Sequence, residues 1–152
     1  MAKLVHSVQR VIPASPDAVF DLLARPSQHA VFDGSGTVQS AVKGPERLGL
    51  GDEFSMAMKM GVKYATTSRV VEFEEGRRIA WQTGLRRNGR LLFGGQVWRF
   101  ELTDRGDGST LVRQSFDLTE AKAAPVVNRL AAGPTEANMR ATLERLADHF
   151  AS

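Results

Sequence analysis

The chain has no cysteine, which removes disulfides, thiolate metal sites and a thiol nucleophile together. It has one tyrosine, two tryptophans and three histidines, His6, His29 and His149. No His-x-x-x-His or Glu-x-x-His spacing occurs, so no metal site is expected. There is no Gly-x-Ser-x-Gly nucleophile elbow and no dinucleotide fingerprint after a strand, and no cofactor is expected. No apolar run approaches the roughly 18 residues a membrane-crossing helix needs. The opening MAKLVHSVQR lacks the apolar stretch of a secretion signal. These absences predict a cytoplasmic protein without an integral membrane span. Neither sign of charge dominates, with 20 Lys and Arg against 17 Asp and Glu. The basic residues are scattered apart from Arg77-Arg78 and Arg86-Arg87 with Arg90. Both groups lie near turn signals and read as solvated strand ends, so no nucleic-acid partner is expected.

What is present fits a folded domain. With 152 residues, 42% of them hydrophobic and 24% charged, the chain is expected to form one domain over residues 1–152 with a core and room for a cavity. Its last stretch organises the rest. Met139, Leu143, Leu146 and Phe150 recur at helical spacing and define one apolar face of a helix over Thr135 to Phe150. Gly133-Pro134 predicts a break or kink before it, with Thr135 as N-cap. Residues 120–132 are ambiguous, with a short helix possible from Pro125.

Upstream, Lys3 to Pro13 reads as a strand rich in β-branched residues. Alternation with Val8 and Ile12 inward would turn His6 and Arg10 inward too, Arg10 reaching a carboxylate or lining a polar part of a cavity. Ser15-Pro16-Asp17 is a helix start, with an N-cap, a first-position proline and a first-turn acid. Residues 27–32 suggest a second short helix after Pro26. His29 precedes Asp33 by four, the spacing of an imidazole–carboxylate pair, but Gly34 breaks structure there, so a helix-end cap or structural hydrogen bond is the better reading. Asp33-Gly34-Ser35-Gly36 reads as a tight turn rather than an anion-binding loop.

The remainder alternates as strands joined by turns. Phe54, Met56, Met58 and Met60 share one face, either core or an adaptable pocket wall. Trp81 follows in the next hairpin, whose partner strand puts Gln96, Trp98, Phe100 and Leu102 on one face. Asn88-Gly89 marks a type I′ hairpin turn. Val112, Gln114 and Phe116 alternate in the last strand. Hairpin-linked strands at this spacing make an antiparallel meander rather than βαβ units.

Three stretches resemble one family. VIPASPDAVFDLLARPSQHAVFDGSG, with Ala-x-Pro starting the first helix, resembles the opening of bacterial polyketide cyclase/dehydrase-like proteins. VVEFEEGRRIAW is similar to their central hairpin and GSTLVRQSFDLTE to their last strand. The element order resembles the START-like, SRPBCC superfamily. That resemblance implies an α+β helix-grip fold: a curved antiparallel sheet, two short helices after the first strand, and a long C-terminal helix packed over a central cavity. It also implies a small hydrophobic or aromatic ligand, lipid or polyketide-like, held by a monomer or homodimer. The alternative it implies is a cyclase or aromatase acting on a ligand in the same cavity. Candidate lining residues are Phe54, Met56, Met58, Trp81, Trp98, Phe100, Phe116, Met139 and Leu143. Arg10, Asp33, Tyr64 and Gln114 are candidate polar points, and Arg69 joins them if a reaction is catalysed. A third reading is an interaction protein with a vestigial cavity.

Overall fold

The structure is a computed structural model that describes residues 3–34, 38–60, 62–88 and 90–151, with the side chains of 38–43, 57–60, 62–66, 85–87 and 93 left aside. Strand β1 (Val5–Ile12) is followed by α1 (Pro16–Leu23), a 3-10 turn (Pro26–Gln28) and α2 (His29–Phe32). Strands β2 (Val38–Lys43), β3 (Glu53–Met60), β4 (Val62–Glu74), β5 (Arg78–Arg87), β6 (Arg90–Asp104) and β7 (Thr110–Asp117) follow, and α3 (Ala124–Ala151) ends the chain. The seven strands form one antiparallel sheet in the order β1-β7-β6-β5-β4-β3-β2. The meander therefore runs unbroken from β2 to β7, and β1 adds beyond its last strand. This is the helix-grip arrangement expected from the element order.

Local chemistry explains the elements. Ser15 caps α1 by accepting the Ala18 N–H at 3.3 Å, with Pro16 at the first helical position and Asp17 in the first turn. Asn88 takes a positive φ of 54°, as a type I′ turn requires. The register aligns rows of inward side chains across the sheet. His6, Phe116, Trp98 and Trp81 make one row, and Val8, Gln114, Phe100 and Ile79 the next. These rows, α1 and the second half of α3 enclose the core, where Ile12, Phe20, Leu23, Ile79, Phe100, Met139, Leu143 and Leu146 are fully buried.

The structure corrects two expectations. Gly133-Pro134 does not divide the last helix: α3 is continuous, with Pro134 inside it and Thr135 mid-helix rather than at an N-cap. Proline deprives the carbonyl four residues earlier, on Leu130, of its helical partner. Leu130, Gly133 and Pro134 are all exposed, so water reaches the interruption and the helix survives it. Arg10 keeps the register of the inward row, opposite Val112, but is not buried in the interior. It is exposed and makes no ion pair with a carboxylate among the described residues. Its strand is an edge strand, and a long side chain at an edge keeps its head in water.

Charge organises the outer surface. Arg99 grips Glu72 through Nε and Nη2, at 2.9 and 2.6 Å, and reaches Asp117 at 3.2 Å. These hydrogen bonds from Arg99 hold the Glu72 carboxyl below the usual carboxylate range, against the opposing effect of burial. Asp21 accepts from Arg25 and Arg47, each at 3.0 Å, and Arg47 continues to Glu75 at 2.6 Å. That chain ties α1 to the loop before β3 and to the β4–β5 turn.

Candidate functional site

The space between α3 and the sheet has two ends that differ in packing. At one end α2 inserts His29 and Phe32 against the sheet. The His29 ring stacks on Trp81, centroids 4.9 Å apart at 21°, and meets Phe54 and Phe32 edge-on at 5.4 and 5.2 Å. Trp81 in turn contacts Phe54 and Phe100. The imidazole Nε2 donates to the Leu23 carbonyl at 2.9 Å, which fixes the tautomer with its proton on Nε2. Burial pushes the His29 pKa down to about 4, so the ring is neutral at physiological pH. This is the structural hydrogen bond that the sequence favoured over a catalytic pair. Enclosed by Trp81, Phe54 and Phe32 and with a pKa of about 4, the ring is a weak base and serves as a packing element.

The other end is looser. From Pro125 to Asn138 no residue of α3 is buried, whereas Met139, Thr142, Leu143, Leu146 and Ala147 all are. The half-buried members of that first half are Val127, Asn128, Ala131, Ala132, Thr135 and Glu136, all short side chains except Glu136, which pairs with Arg140. His6 and Asn128 bridge β1 to α3, Nε2 to Oδ1, at 2.6 Å. His6 belongs to the row containing Phe116 and Trp98. Trp98 packs on Phe116 at 4.7 Å but stays half-buried, unlike Trp81 beside it. One row further in, Gln114 is only 5% exposed between Val8 and Phe100, and its Oε1 is fully buried with no hydrogen-bond partner among the described residues.

The sequence-derived candidates distribute accordingly. Phe54, Met56, Trp81, Phe100, Phe116, Met139 and Leu143 come together as buried apolar groups, with Gln114 among them. Met58 and Tyr64 are cross-strand partners on β3 and β4, but their side chains lie outside the described residues, so their faces are not assigned. Arg69 and Arg10 are exposed. Asp33 is half-buried at the end of α2, where its carbonyl accepts from Arg145 Nη1 at 2.9 Å. Sequence reasoning left out His29 as part of the aromatic cluster, and Gly34 and Thr142 as partners. A Cβ on Gly34 would lie 2.3 Å from the Asn138 carbonyl oxygen and 2.4 Å from the Thr142 nitrogen, so the turn sits directly on the α3 backbone. Its N–H donates to Thr142 Oγ1 at 2.9 Å. The glycine at this turn was the available signal, and the helix it touches lies more than 100 residues away. Among the described residues no group of three or more His, Asp or Glu is placed to hold a metal ion. No described helix is long and apolar enough to cross a membrane.

A curved antiparallel sheet gripped by a long C-terminal helix, with short helices after the first strand, defines a START-like protein of the helix-grip class. Comparison with known proteins agrees and goes one level further. Residues 1–151 match the model of the polyketide cyclase / dehydrase and lipid transport family, and the chain belongs to that family. The uncharacterised protein Rv0088 of Mycobacterium tuberculosis is 32% identical over 157 positions, covering 98% of this chain and 64% of the relative. The chain thus spans a little under two thirds of the length of the curated relatives it matches. Among solved structures, NE0264 from Nitrosomonas europaea superposes with a TM-score of 0.74 at 16% identity, covering 95% of this chain and 92% of that one. DynU16, from the dynemicin biosynthetic locus, superposes with a TM-score of 0.68 at 16% identity, covering 99% of this chain and 48% of that one. At such identities the superpositions establish the fold.

Proposed function

We propose that the chain binds a small, mainly apolar or aromatic molecule between the first half of α3 and the sheet row of His6, Phe116 and Trp98. The observation that carries this reading is the packing asymmetry of α3: one half is sealed by large buried side chains, the other presents short, half-buried ones above a half-buried tryptophan. An apolar ligand there would complete the burial of Trp98 and of the facing helix, and burial of apolar surface would supply most of the affinity. Family membership supports a role in ligand binding or cyclisation. Binding is the better-supported of the two. The buried imidazole is a weak base stacked on Trp81, with a pKa of about 4, and the Ser68 and Thr83 hydroxyls pair with each other at 2.8 Å rather than with a base.

Native mass spectrometry of the purified chain, followed by denaturing extraction, tests the proposal. A stoichiometric lipid or aromatic compound that is released on denaturation is expected. The reading fails if the chain is empty and apolar fluorescent probes also leave Trp98 emission unchanged.

A further inference from the structure

Gln114 is out of place as core. Its neighbours in the row, Val8, Phe100 and Ile79, are all buried and apolar. A leucine or methionine would fill its volume without desolvating an amide. Instead the Oε1 is fully buried with no partner among the described residues, an arrangement native interiors rarely keep unless something completes it. The atom lies one row inward from the loosely packed end, where a molecule seated against Trp98 and Phe116 would extend toward it. We infer that the ligand is an apolar molecule carrying a neutral hydrogen-bond donor, a hydroxyl or N–H group, which pairs with Gln114 Oε1. This rests on the binding reading above and names the ligand class it takes.

The same surroundings select against acidic ligands. Among the described residues the buried polar side chains are those of His29, Ser68, Gln82, Thr110, Gln114, Ser115 and Thr142, and none of them carries a charge at neutral pH. Arg10, the cation whose position on β1 would have let it neutralise an anion, is exposed. A carboxylate or phosphate brought beside Gln114 would be desolvated with no opposite charge, whereas an alcohol or phenol would satisfy the orphaned acceptor at no electrostatic cost. A fatty acid therefore fits this interior less well than a neutral alcohol or phenol of the same size.

Isothermal titration calorimetry with 2-naphthol, 2-methoxynaphthalene and 2-naphthoate tests this on the whole chain. The wild type should bind 2-naphthol tightest. The affinity ratio of naphthol to methoxynaphthalene should fall about tenfold in Gln114→Leu, equivalent to roughly 1.4 kcal/mol. The Leu variant should also melt no lower than wild type, because it removes a buried unpaired acceptor. Gln114→Met, unbranched, provides the same readout if Leu does not fit. An unchanged ratio in the variants, or tightest binding of naphthoate, overturns the inference and leaves the binding reading standing. No binding of any of the three overturns the binding reading itself.

Discussion

Gly34→Ala is the sharpest test of how the loop after α2 is held. The new methyl carbon would sit 2.3 Å from the Asn138 carbonyl oxygen, 2.4 Å from the Thr142 nitrogen and 2.8 Å from the Ala141 carbonyl carbon. All three are backbone atoms of a helix, so no rotamer change relieves the contact. The turn must lift off α3, stretching the Gly34 N–H bond to Thr142 Oγ1 and the Arg145 bond to the Asp33 carbonyl. Overpacking costs about 1–3 kcal/mol, and each lost hydrogen bond adds about 0.5–1.5 kcal/mol. A total of roughly 2–6 kcal/mol is expected. For a chain of this length that corresponds to a fall in Tm of about 4–24 °C. Urea unfolding followed by circular dichroism gives the free energy, and calorimetry the Tm. Thr142→Val serves as control, because it keeps the side-chain shape while leaving the Gly34 N–H unpaired, at about 1–3 kcal/mol. A Gly34→Ala variant within 1 °C of wild type with an unchanged denaturant slope would refute the close approach of the turn to α3.

Other expectations follow from the remaining contacts. His29 has a folded pKa lowered to about 4 against 6.5 unfolded, so its neutral form contributes fully above pH 6.5 and the contribution is lost as pH falls toward 4. Between pH 7 and pH 5 that costs wild type about 2 kcal/mol, and His29→Phe should lose this part of the acid sensitivity in paired urea titrations. Trp98→Ala should cost only about 1–3 kcal/mol, against about 3–5 for the buried Trp81→Ala, and should weaken ligand binding more; equal losses of stability would place Trp98 in the closed core. Arg99→Met leaves Asp117 without its cation and Glu72 with only the 3.9 Å contact to Arg78, for a cost of about 1–3 kcal/mol at neutral pH. Because the Glu72 carboxyl is held below its ordinary value, that cost should shrink as pH falls through its titration, which acid-range melts of both proteins measure.

Most of the architecture was legible in local pattern. The capping signal at Ser15, the turn signal at Asn88, and the alternation through β3, β6 and β7 located the elements within a few residues. Two readings failed for the same reason: a local rule met a solvent boundary. Alternation put Arg10 inward, but β1 is an edge and its long side chain reaches water. Pro134 signalled a break or a kink, and the helix does not break, because the missing N–H falls on the exposed side of α3, where water substitutes. The interior chemistry was less legible. Gln114 was placed inward by its alternation with Val112 and Phe116, but whether its amide finds a partner depends on strands and a helix far away in sequence. His29 likewise reads as a helix-end residue until Trp81, 52 positions downstream, covers its ring.

The sheet order also dictates an order of events in time. Strands β2 to β7 are joined neighbour to neighbour and zip as successive hairpins, each closing a short loop. β1 is different: Val5 pairs with Asp117 and Ile12 with Thr110, so among the described strands β1 meets its partner about 100 residues later. At synthesis rates of about 5–20 residues per second it waits for roughly 5–20 s as an unpaired, β-branched segment. A nascent chain of this protein therefore passes through a stage in which the meander is formed and its outermost seat is empty. The closing of that seat is the slow, non-local step on which completion of the native sheet depends.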